Sequence, residues 1–144
     1  MPITIEELSE VTDEVVDAFA KLLPQLSTSA KPLDAAALRT VVSSPAVTVL
    51  LARDEGKIIG SLSLVVFRIP TAVRAWIEDV VVDGAAGRKG TGTALVREAV
   101  RRAKAAGART VDLTTRPSRV AAGNLYEKAG FEQRNTRVYR YKFE

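Results

Sequence analysis

Glu78 and Asp79 place two carboxylates inside an otherwise apolar run, Trp76-Ile77-Glu78-Asp79-Val80-Val81-Val82-Asp83, and a glycine-rich stretch from Gly84 to Gly92 follows directly. Where such a turn joins a strand to a helix, the first backbone N–H groups of the helix point outward without partners and attract phosphate. Gly90 and Gly92 let an anion approach the backbone with no Cβ in the way, and Arg88 and Lys89 add positive charge. Spacing excludes two familiar phosphate loops. A dinucleotide-binding fingerprint needs Gly or Ala at 95, where Leu95 stands, and a Walker A loop needs Gly-Lys-Ser/Thr, whereas Lys89 is followed by Gly90. The plainer alternative is a flexible strand-to-helix turn.

Composition narrows the chemistry further. The 144 residues are 47% hydrophobic and 26% charged, with no Cys and no His. Disulfides, thiolate nucleophiles, imidazole bases and metal sites built on sulfur or ring nitrogen are therefore excluded, and no metal is expected. Carboxylates, Tyr, Lys and backbone dipoles remain. The length suits one domain over 1–144 with one core. The N-terminus has no basic n-region or apolar h-region, and no run approaches the roughly 20 apolar residues that span a bilayer, so a soluble cytoplasmic protein is expected. Charge is uneven: residues 1–96 carry 9 Lys/Arg against 12 Asp/Glu, net −3, and residues 97–144 carry 12 against 5, net +7. The second part should attract anions, either nucleic acid or a phosphorylated cofactor.

The elements that must position these residues follow an α/β pattern. Ile3 to Ile5 reads as a short strand. Val15, Val16, Phe19, Leu22 and Leu23 lie at helical spacing until Pro24, which is expected to stop the helix, and Asp34 caps a second helix from Ala35 to Val42. Val47 to Arg53 and Lys57 to Ile69 form a hairpin around Asp54-Glu55-Gly56, and Val73 to Asp83 is a third long strand. A regular pleat puts Trp76, Glu78, Val80 and Val82 on one face. After the glycine turn, Ala94, Leu95, Ala99, Val100 and Ala103 form an apolar helical stripe opposite Arg97, Glu98, Arg101, Arg102 and Lys104. Ala108 to Thr114 is a strand, Ser118 to Ala129 a helix closed by Gly130, and Thr136 to Phe143 a last strand with Tyr139, Tyr141 and Phe143 on one face.

Taken together, the order of strand, phosphate loop, helix, strand, helix with Tyr, Gly-Phe and strand resembles the GNAT superfamily of acyl-CoA-dependent N-acetyltransferases. Trp76 to Asp83 looks like its fourth strand, and Gly87-Arg88-Lys89-Gly90-Thr91-Gly92 like its Arg/Gln-x-x-Gly-x-Gly/Ala pyrophosphate loop. Ala122-Gly123-Asn124-Leu125-Tyr126-Glu127-Lys128-Ala129-Gly130-Phe131 looks like its Ala-x-x-Leu-Tyr-x-x-x-Gly-Phe segment. Two positions depart from the pattern: Gly87 stands where Arg or Gln is usual, and Arg119 where an Asn often precedes the second motif.

The resemblance implies a mixed, mostly antiparallel sheet flanked by helices, with splayed central strands forming a coenzyme A cleft. It also implies acetyl-CoA as acyl donor, bound by Gly87, Arg88, Lys89, Gly90, Thr91, Gly92, Thr93 and Arg119, with the backbone of Val80, Val81 and Val82 hydrogen-bonding the pantetheine arm as an added strand. Acetyl transfer to a primary amine needs a proton acceptor, and without His this is a carboxylate: Glu78, or Asp79 if a bulge exchanges the faces. Tyr126 is the matching acid toward the thiolate, with core packing on a helix face as its alternative role. Absence of Cys favours direct transfer in a ternary complex. The acceptor is a small-molecule or peptide amine, and the C-terminal strand allows a homodimer. A non-catalytic acyl-CoA-binding sensor is the rival reading. Nucleic acid is not expected as a partner, because no aromatic is interleaved with Arg97, Arg101, Arg102 and Lys104 for base stacking.

Overall fold

In the computed structural model, which describes residues 2–87 and 90–143, the chain divides into two compact units, Met1–Thr114 and Thr115–Glu144. The first unit holds a five-stranded sheet in the order β1-β2-β3-β4-β5, where β1 is Thr4–Glu7, β2 Val47–Asp54, β3 Lys57–Ile69, β4 Ala72–Val82 and β5 Thr110–Asp112. Neighbours are antiparallel except β4 and β5, which run parallel. The β2–β3 hairpin turns on Glu55 and Gly56, both left-handed with φ of 52° and 81°, the geometry of a tight hairpin turn whose twist matches its strands.

Helix α1, Asp13–Leu26, buries Val15, Phe19 and Leu22 at i, i+4, i+7 spacing, and Thr12 Oγ1 caps it by accepting from Val15 N at 3.3 Å. Pro24 does not stop it. Proline gives up the hydrogen bond that would reach back four residues, but the helix runs two residues further, to Leu26, and carries Gln25 to a contact described below. Helix α2, Ala35–Ser43, starts as expected: Asp34 Oδ1 accepts from Ala37 N at 2.8 Å. Both helices pack on one sheet face, in a core cluster that includes Phe19, Leu22, Leu38, Val49, Leu51 and Val81. Helix α3, Thr91–Ala105, covers the other face and buries Leu95, Val96, Ala99 and Ala103; Val96 joins the stripe.

The second unit contains α4, Val120–Lys128, followed by Gly130 at φ 98°. The strand expected over Thr136 to Phe143 does not form: among the described residues no strand includes it, and Val138, Tyr139, Tyr141 and Phe143 are exposed. Alternation specifies a face, but a strand exists only against a neighbour that completes its hydrogen bonds. For the same reason β5 is limited to the three residues that pair with β4. No helix among the described residues is long and apolar enough to cross a membrane.

The approach of α3 to the sheet depends on Gly60. A Cβ there would lie 3.0 Å from Val81 O, 3.3 Å from Leu95 Cδ1 and 3.4 Å from Thr91 Cγ2. Gly60→Ala should therefore push the start of α3 off the sheet and cost about 1–3 kcal/mol, read as a lower midpoint in urea unfolding. An unchanged midpoint would show that α3 has slack at this contact.

Candidate active site

The parallel pair β4–β5 ends at Trp76 opposite Asp112. Beyond it, the β4 edge from Ile77 to Val82 has no strand partner on that side among the described residues. On its other side β4 continues along β3, but with a shift: Glu78 lies opposite Ser63 and Val81 opposite Ser61, so Asp79 and Val80 together face Leu62. This is a β-bulge, and Asp79 occupies the left-handed position, φ 51°, that such bulges usually give to glycine. The bulge corrects the regular pleat. Trp76 and Glu78 share a face as expected, but Val81, not Val80 or Val82, continues it, because one extra residue reverses the alternation. Glu78 and Asp79 are both exposed, and neither makes a hydrogen bond or ion pair with a described residue.

The chain then enters a short 3-10 turn, Gly84–Ala86, and leaves it through Gly87. Gly90, at φ 73°, precedes α3 and offers no side-chain cap; the first intrahelical bond is Ala94 N to Gly90 O, at 3.0 Å. The N–H groups of Thr91, Gly92 and Thr93 are thus left without intrahelical acceptors. Thr91 is buried, and its hydroxyl has no partner. Arg88 and Lys89 lie outside the described residues.

This turn is held from behind. Asp83 is 4% exposed, and its carboxylate accepts from Ala85 N at 3.0 Å, from Gln25 Nε2 at 3.3 Å and from Lys21 Nζ at 2.9 Å. Gln25 Oε1 in turn accepts from Gly84 N at 2.9 Å. The hydrogen bond from Lys21 above all, with those from Ala85 and Gln25, holds the Asp83 carboxyl below the usual carboxylate range against the opposing effect of burial.

In the second unit Tyr126 is half-buried on α4, edge-on to Phe131 at 6.1 Å. Burial pushes its phenol above the usual range, partly offset by the charge of Arg119, so Tyr126 keeps its proton at neutral pH. Arg119 sits at the α4 N-cap without a side-chain cap bond. The basic face of α3 is partly neutralised: Arg101 and Arg102 both bind Glu98, whose carboxyl is pushed down to about 2 chiefly by the Arg101 hydrogen bond, and Arg102 also reaches Glu7 on β1.

Comparison with known proteins matches residues 10–131 to the acetyltransferase (GNAT) family. The chain belongs to the GNAT acetyltransferase family. A putative acetyltransferase from Agrobacterium tumefaciens str. C58 superposes with a TM-score of 0.85 at 24% identity, over 96% of this chain and 99% of that one. An acetyltransferase from Trypanosoma brucei gives 0.81 at 25%, over 99% and 100%. A structure described as a transcriptional regulator from Bacillus halodurans C-125 gives 0.82 at 26%, over 99% and 100%. No curated protein matches the chain by sequence.

Within this GNAT fold the first unit brings Glu78, Val80 to Val82, Gly87, Gly90, Thr91, Gly92 and Thr93 onto one strand–turn–helix path, and the second unit places Arg119 and Tyr126 on α4. Sequence reasoning missed the Lys21–Gln25–Asp83 anchor. Its one visible signal was an acidic residue ending an apolar strand just before a glycine, the pattern of a turn cap. Asp83→Asn keeps an acceptor for Ala85 N but loses the ion pair, and should cost about 1–3 kcal/mol of stability at pH 6. Because the folded pKa is depressed, wild type holds this advantage above the unfolded value of about 3.9 and loses it as pH falls through the folded value. Urea unfolding at pH 6 and pH 3 should show the gap between the two proteins closing at the lower pH; a gap of equal size at both would assign the cost to packing.

Proposed function

We propose that the protein transfers an acetyl group from acetyl-CoA to a primary amine, directly and in a ternary complex, with residues 1–144 acting as one domain. The observation that carries this reading is that, among the described residues, a β4 edge without a strand partner precedes a helix start whose N–H groups lack intrahelical acceptors: together they offer a strand edge to an amide-bearing arm and donors to a pyrophosphate. The partnerless Thr91 hydroxyl at the same helix start fits an additional phosphate contact. Bound acetyl-CoA supplies the acyl group as an activated thioester. An alkylammonium acceptor titrates near 10.4, so it must lose a proton before its nitrogen can form the C–N bond. Glu78, opposite Ser63 in the sheet and without a cationic partner among the described residues, takes that proton directly or through water, with Asp79 beside it as the competing base. As the C–S bond breaks, Tyr126 Oη, protonated at neutral pH, gives its proton to sulfur and recovers one from the amine nitrogen through solvent. Pairing of Arg101 and Arg102 with carboxylates weakens the case for nucleic acid.

Cofactor binding is tested at Gly90. Asp and Asn both tolerate left-handed φ, but only Asp repels phosphate, so Gly90→Asp should weaken coenzyme A in calorimetry by at least tenfold relative to Gly90→Asn. Equal affinities would remove the loop from the site.

Catalysis is tested by thiol release from acetyl-CoA with a panel of primary amines; a folded protein that binds acetyl-CoA but acetylates none of them would instead be a sensor. Glu78→Gln should lose most activity at low pH and recover as pH rises and more amine is already neutral. Tyr126→Phe should lower turnover by ~10²–10⁴ with little change in cofactor affinity. If Asp79→Asn shows the pH-dependent loss and Glu78→Gln does not, the two carboxylates exchange roles; wild-type behaviour in all three variants refutes the assignment.

A further inference from the structure

A cavity of about 80 Å³ opens between the sheet and helices α1 and α2 at the β4 bulge. Phe19 and Leu23 from α1 and Val41 from α2 give it apolar walls; Ser61 and Ser63 line it from β3, and among the described residues Asp79 is its one ionisable lining residue. Asp79 reaches it only because of the bulge, in a backbone conformation that costs free energy for any residue but glycine and is mildest for Asp or Asn. Strain of this kind, beside a strand edge with no partner and a carboxylate with no cation among the described residues, marks a place shaped for a ligand.

Resting on the acetyltransferase reading above, we infer that this cavity selects the acceptor: a small monoammonium compound with an apolar substituent of about three or four carbons, its charged nitrogen against Asp79 and its substituent between Phe19, Leu23 and Val41. The size follows from volume, since 80 Å³ is roughly three water-sized groups. The class follows from charge. A second ammonium, as in a diamine, would enter apolar walls with no partner, and the carboxylate of an amino acid would meet Glu78 and Asp79. Each buried methylene is worth about a fourfold gain in affinity or specificity.

The test is kcat/KM for acetylation of a series from methylamine through ethylamine, propylamine and isobutylamine to hexylamine, with putrescine, leucine and glucosamine alongside. The value should climb to an isobutylamine/methylamine ratio of about 60, three carbons at fourfold each, and fall again at hexylamine. In Val41→Phe, or in Ser63→Leu should the first variant fold poorly, the ratio should collapse toward one. Asp79→Asn should weaken every amine while keeping the order. A binding readout stands apart from turnover: isobutylamine should shift the amide resonances of Ser61, Ser63 and Asp79, and Val41→Phe should abolish the shift. A flat series, or putrescine, leucine or glucosamine as best acceptor, overturns the inference while leaving acetyl transfer intact. Binding at these amides with no amine acetylated would uphold the cavity and overturn the catalytic reading. No shift at these amides overturns the cavity.

Discussion

Backbone hydrogen bonding at the outer edge of β4 is the constraint from which the site follows. A strand edge carries N–H and C=O groups that must be satisfied by another strand, water or a ligand, and β5 satisfies them only from Arg74 to Trp76. The remaining edge, Ile77 to Val82, precedes the start of α3, where three more N–H groups lack intrahelical acceptors. Two local features keep that edge where it is. The bulge at Asp79–Val80 increases the twist of β4 just past its last contact with β5, and Gly60, with no Cβ to crowd Val81 O, Leu95 or Thr91, lets α3 settle against the sheet.

Where one residue decides local geometry, the sequence was readable. Asp34 caps α2, Glu55-Gly56 turns the hairpin, and Gly130 takes the left-handed place after α4. The GNAT fold itself was legible because the glycine loop and the Leu125-Tyr126 segment keep their spacing. What escaped depended on partners distant in the chain. A bulge follows from how Asp79 and Val80 accommodate Leu62, and periodicity along β4 alone predicts the regular pleat. Pro24 reads as a stop until Gln25, one residue on, is seen to bind Asp83 and Gly84 on the far side of the core. Thr136 to Phe143 has strand alternation but belongs to no strand among the described residues. Of the proposed site residues, those on the strand–turn–helix path were legible from local pattern; the ones that support or shape it, Lys21, Gln25, Ser61 and Ser63, carry no local signal.

Helix α1 links the two halves of the proposed chemistry. Lys21 and Gln25 hold the glycine turn, while Phe19 and Leu23, alternating with them along the chain, wall the cavity at the bulge. Polar and apolar contacts interleave near the C-terminal end of α1, so a shift of the helix along its axis would disturb the turn and the cavity together. A helix with two such duties has reason to continue through a proline.

Charge placement completes the picture. The chain carries a surplus of cations, and its structural carboxylates use them: Glu6 and Glu14 meet Arg53, Glu7 and Glu98 meet Arg102, and Asp83 meets Lys21. Among the described residues, which do not include Arg88 and Lys89, Glu78 and Asp79 sit side by side with no such partner, although adjacent like charges repel. Placing two carboxylates side by side at a strained bulge is unfavourable for the isolated fold. It becomes favourable once a cation arrives, because the field is already in place. An ammonium that enters there loses little of its hydration for a strong counter-charge, and giving up its proton to one carboxylate relieves the repulsion between the two. Attraction of the amine and its activation therefore draw on the same pair of charges.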